Sequence, residues 1–107
     1  MRAKTLWIKD EYLEWILAGH KTVEVRVGYS NITRLLVGDQ LLLNEKYRYV
    51  IRRIGRYASF AELLVNEDPC AIAPGMSAED LLGRLKQLYP RKKEALGVLA
   101  LEIQPED

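Results

Sequence analysis

The 107 residues hold 16 lysines and arginines against 15 aspartates and glutamates, a net charge of +1, with 49% hydrophobic and 29% charged residues. That length suits a single domain (residues 1–107) with one ordinary core, the composition excludes a disordered chain or a coiled coil, and the charge balance excludes a strong whole-molecule pull toward polyanions. No apolar run approaches the roughly 20 residues that cross a bilayer; Lys9, Asp10 and Glu11 interrupt any signal-like segment, and the single Cys70 forms no internal disulfide, so a cytoplasmic protein with no membrane contact is expected.

Ala3 to Trp7 predicts a first strand, after which Asp10 is placed to cap a helix whose apolar stripe is Leu13, Ile16 and Leu17, widened by Tyr12 and Trp15. Gly19 is suited to a left-handed C-terminal cap. Thr22 to Val27 is the cleanest period-two segment, with three valines on one face and Thr22, Glu24 and Arg26 on the other. Gly28 to Thr33 predicts a loop, and Gly38-Asp39 a turn opening a strand from Gln40 to Asn44. Tyr47 to Tyr57 predicts a long strand, in which Val50 and Ile54 share a face with Arg48, Arg52 and Arg56 unless a bulge shifts the register. Ser59 with Glu62, and Ser77 with Asp80, are spaced as helix-starting caps; the second opens a helix bearing Leu81, Leu82, Leu85 and Leu88 and ending before Pro90. Asn66 to Met76 is expected to be loop, Leu96 to Ile103 a final strand, and Gln104 to Asp107 a frayed tail. The order of elements fits an α+β fold with a mixed or antiparallel sheet, in the form of a small, partly closed β-barrel with flanking α-helices.

Chemistry concentrates in Gly19-His20-Lys21-Thr22-Val23-Glu24-Val25-Arg26. Glu24 and Arg26 lie two apart on one strand face and Lys21 at the strand's mouth, so the three can converge on one hollow. A carboxylate flanked by two cations stays ionised, able to act as a base or accept hydrogen bonds, while Lys21 and Arg26 could bind phosphate, Arg26 with a planar fork. The alternative is a solvated ion-pair cluster of little energetic weight. His20, the only histidine, points away from Glu24 and Arg26 by parity and is expected at the surface.

Gly19, Lys21, Glu24 and Arg26 reproduce a G-x-K-x-x-E-x-R pattern. With the preceding helix Tyr12 to Ala18, Val37-Gly38-Asp39, and Leu88-Tyr89-Pro90 ahead of Gly97 to Leu101, the chain resembles the ASCH domain family, related in fold to PUA domains, from about Thr5 to Ile103. The resemblance implies a PUA-like β-barrel with a cleft beside the motif and an RNA or nucleoside-like ligand. One branch of the family looks like an amidohydrolase acting on N4-acetylcytidine through the motif lysine, a threonine and a glutamate ahead of the last helix. This chain matches that branch at Lys21 only: Glu24 stands at the threonine position and Pro74 at the glutamate position, with Glu67 or Glu79 as possible spatial substitutes.

Three readings follow: an RNA-binding or nucleoside-binding module; a small hydrolase of RNA or a modified nucleoside with Lys21 and Glu24 as the catalytic pair; or a protein-interaction module in which the cluster is structural. For the first, Arg26, Thr22, Tyr29, Arg48, Arg52 and Arg53 are the expected ligand contacts. Tyr29, Tyr47, Tyr49 and Tyr57 are either stacking platforms or packed rings with the hydroxyl at the surface, and Trp7 and Trp15 are read as core. Cys70 has no neighbouring His or Cys, so no metal and no cofactor are expected; nothing in the sequence sets the oligomeric state.

Overall fold

Eleven elements succeed one another along residues 3–106, the residues that the computed structural model describes: β1 (Ala3–Leu6), α1 (Asp10–Leu17), β2 (Val23–Val27), α2 (Ser30–Thr33), β3 (Gln40–Leu43), β4 (Tyr47–Tyr57), α3 (Phe60–Asn66), α4 (Pro69–Ile72), α5 (Ala78–Leu88), α6 (Arg91–Glu94) and β5 (Val98–Pro105). The strands form one sheet in the order β1-β3-β4-β5-β2. Only β1 and β3 pair in parallel; the other three pairings are antiparallel. The sheet curls into a half-barrel, an α+β fold of the expected kind, with β1 and β2 as its two edges.

Strand alternation sends β5 into two cores. Leu99, Leu101 and Ile103 join Leu6, Leu41, Leu43, Tyr49, Ile51 and the α1 residue Ile16 on one side. Val98 and Ala100 join the β2 valines, Phe60, Leu63, Leu81 and Leu85 on the other. β4 serves the first core through a bulge: Ile51 pairs with Ile103 and Arg53 with Glu102, leaving Arg52 as the extra residue. Tyr49 and Ile51 point inward before it and Ile54 after it, so the bulge takes Ile54 off the face of Arg48 and Arg52, while Val50 stays on the face of Arg48 and Ile54 on that of Arg56.

Local signals account for most boundaries. Gly19 has φ +82°, and the amides of Gly19 and His20 return to the carbonyls of Ile16 and Trp15, a Schellman end to α1. Ser59 Oγ accepts from Glu62 N and Ser77 Oγ from Asp80 N, as their spacing predicts. Several expectations are corrected. Asp10 is the first helical residue and Lys9 the cap position, with no side-chain cap bond. Gly28 to Thr33 contains α2, and Asn66 to Met76 contains α4, capped by Asp68 with Pro69 at its start, where proline's missing N–H costs nothing. Gln104 and Pro105 are strand, because Pro105 pairs with Tyr49 and Gln104 with Val50; Asp107 lies outside the described residues. Trp7 is 63% exposed, since Leu6 and Ile8 on either side turn inward and parity sends the indole out.

Candidate functional site

The site begins where α1 ends. The left-handed Gly19 reverses the chain, and the amides of both His20 and Lys21 fold back onto Trp15 O. This turn delivers Lys21 inward, to 5% exposure, and leaves His20 exposed. Lys21 Nζ donates to Val23 O at 2.7 Å and to Ile72 O at 2.8 Å, and lies 3.3 Å from Glu24 Oε1. Three acceptors therefore meet the three N–H groups of an ammonium. Burial pulls the Lys21 pKa below its ordinary value, opposed by the carboxylate of Glu24 and assisted by the charge of Arg26. Thr22 O accepts from Ile103 N on β5, so Val23 O faces the unpaired side of β2, and Lys21 covers an edge carbonyl that no strand can reach.

Glu24 and Arg26 sit opposite Leu101 and Leu99 in the pairing of β2 with β5, and so share the face of the first core. That explains why Glu24 is only 8% exposed, although it lies on the polar face of an edge strand. Its Oε2 accepts from Arg26 Nε at 2.7 Å, and Arg26 Nη2 donates to Trp7 O at 2.9 Å. Trp7 directly follows β1. The motif arginine therefore ties together the two edges of the half-barrel, and the chain Lys21–Glu24–Arg26–Trp7 closes the seam between them.

Beside this chain lies a cavity of about 90 Å³ between α1, β2 and α5. Roughly 10–15 Å³ by the same measure holds one water, so there is space for several waters or a small flat group. Lys21 and Glu24 form its polar wall; Tyr12, Trp15, Met76, Leu85 and Tyr89 line it with apolar and aromatic surface. Tyr89 stands with its ring 5.7 Å from that of Phe60, and burial raises its hydroxyl pKa, with Arg26 opposing the rise.

The residues expected at the ligand divide among several places. Lys21, Glu24 and Arg26 come together, and Tyr29, 42% exposed, lines a depression next to Arg26. Thr22 is exposed, its backbone bonded to Ala71 and Ile103, and lies outside the lining of the cavity. Arg48, Arg52 and Arg53 are on β4, which β5 separates from β2. Arg53 is committed elsewhere: its fork donates to both oxygens of Glu67, at 3.0 and 2.6 Å, and its Nε to Glu102 Oε1 at 3.0 Å. Tyr57 completes that cluster by donating to Glu67 Oε2. Glu67 is thus consumed by Arg53 and Tyr57, and neither Glu67 nor Glu79 lines the cavity. Tyr49 is buried, its hydroxyl 3.4 Å from Ile16 O, and Tyr47 packs against the first core under Lys46. Tyr12, Trp15 and Tyr89 line the cavity but are not among the expected ligand contacts; the signals for them are the aromatic stripe on α1 and the Leu88-Tyr89-Pro90 stretch of the family resemblance, whose wall comes from the chain's other end. Among the described residues no cluster of ligating side chains could hold a metal, and no helix is long and apolar enough to span a membrane.

The curled five-stranded half-barrel with its flanking helices is a PUA-like fold, associated in general with nucleic-acid binding. The ASCH domain family matches residues 6–107, nearly the whole chain, and the chain belongs to that family. Among solved structures it is similar to hypothetical protein PH0355, at 30% identity over 98% of this chain and 100% of that one, with a TM-score of 0.91. It is also similar to protein PF0455 of Pyrococcus furiosus, at 28% identity over 99% of each chain, with a TM-score of 0.80. No curated protein matches.

Proposed function

We propose that this chain binds RNA by seating one unstacked base, or a nucleoside-like ligand, in the cavity between α1, β2 and α5, with Glu24 as the hydrogen-bond acceptor that reads it. The observation that carries this reading is the state of the Glu24 carboxylate. Each oxygen is paired with one cation, Oε1 with Lys21 and Oε2 with Arg26, and a carboxylate oxygen can accept two bonds. An acceptor fixed by two cations and with spare lone pairs, set in a wall of aromatic rings, suits an amino or imino N–H on the edge of a base stacked between those rings. Two backbone carbonyls and an ion pair hold Lys21 as the charge that orients this acceptor.

The same bonds favour binding over hydrolysis. A nucleophilic or proton-shuttling Lys21 needs a free lone pair or a free N–H, and its three N–H groups are engaged by Val23, Ile72 and Glu24. In this reading Arg48, Arg52 and Arg53 do not touch the seated base. Tryptophan fluorescence, titrated with each of the four ribonucleosides, tests it through Trp15. A nucleoside bearing a donor edge is expected to bind saturably, and Glu24→Gln, which replaces an acceptor oxygen by a donor, to weaken it at least tenfold with the melting temperature tracked in parallel. Equal binding by the Gln variant, or none of the four nucleosides binding, overturns the reading. Release of product from RNA or from acylated cytidine, lost in both Lys21→Ala and Glu24→Gln, establishes the hydrolase instead.

A further inference from the structure

Trp7 and Tyr29 are large aromatic side chains left 63% and 42% exposed, beside the cavity but not in it. Two further depressions explain their position. One, of about 210 Å³, shares Tyr12, Glu24, Leu88 and Tyr89 with the cavity and adds Trp7, Lys9 and Arg26. The next, of about 220 Å³, shares Trp7, Arg26 and Tyr89 with that one and adds Tyr29 and Asn31. Shared wall residues, Tyr89 among them in every case, place the three side by side from the cavity past Arg26 to Tyr29, a groove of adjoining sections. There the Lys93 ammonium stands 5.3 Å from the Tyr29 ring centre, and Arg91 and Lys92 are exposed on the same short helix, α6.

Resting on the binding reading above, we infer that this groove carries the nucleotides flanking the seated base, so that the ligand is a single strand of RNA rather than a free nucleoside. Exposed rings alternating with cations are what a strand requires: bases of any identity stack on the rings, and phosphates lie against the cations between them. Here the order is Trp7, Arg26, Tyr29, Lys93. Glu24 is the one carboxylate among the residues lining the three sections, and it sits at the inner end, where the base edge and not the phosphate belongs. Arg26 keeps its Nη1 group outside the bonds to Glu24 and Trp7, a donor pair available to a phosphate. A duplex cannot enter, since its bases are stacked on one another and closed to the rings.

Fluorescence anisotropy of the full chain decides the matter, with labelled single-stranded RNA of one, three and five nucleotides, the same sequence as duplex, and the Trp7→Ala/Tyr29→Ala and Lys93→Ala variants, whose exposed positions leave the melting temperature unchanged. Affinity is expected to rise at least tenfold from one to five nucleotides. The aromatic double variant should bring the five-nucleotide affinity down to that of the mononucleotide while leaving mononucleotide affinity in place. Lys93→Ala should weaken the longer strand alone. Equal affinity at all lengths, or tighter binding of the duplex, overturns the strand inference and leaves the cavity reading standing. Strand binding that depends on Trp7 and Tyr29 but is untouched by Glu24→Gln sinks the cavity reading and keeps the groove. Concentration-dependent self-association that the aromatic variant abolishes, with RNA affinity unmoved, contradicts the inference in favour of a protein interface.

Discussion

Lys21 is the residue on which the local arrangement turns, because a buried ammonium is tolerable only when all its donors are met. Removing it leaves Val23 O, Ile72 O and one oxygen of Glu24 without their partner. Lys21→Met, which keeps the aliphatic stem, is expected to cost about 3 kcal/mol, read as a lower urea midpoint with an unchanged slope. Glu67 makes the opposite kind of site: Arg53 holds its carboxyl pKa below the ordinary value, with Tyr57 assisting and burial opposing. A carboxylate whose folded pKa is depressed adds stability that is present above the unfolded pKa and lost as pH falls through the folded one. The wild-type chain should therefore lose stability on acidification below about pH 4.5, the unperturbed value for the group, and Glu67→Gln should flatten that part of the curve. Denaturant unfolding at stepped pH checks both chains; parallel curves would assign the acid loss to other carboxylates.

Among the elements, β4 shows how one strand can serve a core, a bulge and an ion-pair cluster together. Gly55 is required there for space: a Cβ would fall 2.7 Å from Glu67 Oε2 and 2.8 Å from the Tyr57 hydroxyl, both held in place. Gly55→Ala is expected to lower stability by about 1–3 kcal/mol, the range for overpacking, and by much less in a Glu67→Ala background; a double-mutant cycle by thermal unfolding reads the difference. At this scale the sequence was readable wherever the signal was local. The glycine end of α1, the serine caps of α3 and α5, the valines of β2 and the bulge demanded by the β4 arginines all depend on neighbours within a few residues. Trp7 was misread because its own bulk outweighed its parity between Leu6 and Ile8. The burial of Glu24 escaped notice because β2's polar face counts as solvent-facing until the pairing with Leu101 sets it against the core. Arg53 looked like a free cation because Glu67, fourteen positions on, meets it only once α3 has crossed the sheet. Tyr89 stands in the Leu88-Tyr89-Pro90 stretch of the family resemblance, but nothing local ties it to the motif: its place in the site depends on α5 packing beside β2.

Taken as a whole, the molecule sets two sheet edges close together and joins them through Arg26, so the motif closes the half-barrel as well as forming the cavity wall. With a net charge of +1, long-range attraction to RNA is weak, and phosphate contact reduces to the few cations along the groove. The salt dependence of binding to a short strand should accordingly be shallow, a slope near −2 in log affinity against log salt at about −0.7 per phosphate on a single strand, and Arg26→Gln should reduce it by roughly one phosphate's worth. A steep slope unaffected by Arg26 would move the contact to the exposed arginines of β4. The central claim, that a base enters beside the open edge of β2, is tested most directly by following backbone and indole amide shifts by NMR as a ribonucleoside monophosphate is added. Saturable shifts gathered on Tyr12–Trp15, Lys21–Arg26 and Leu85–Tyr89, including the Trp15 indole, are predicted; shifts confined to Arg48–Arg53, or none at millimolar ligand, would contradict it.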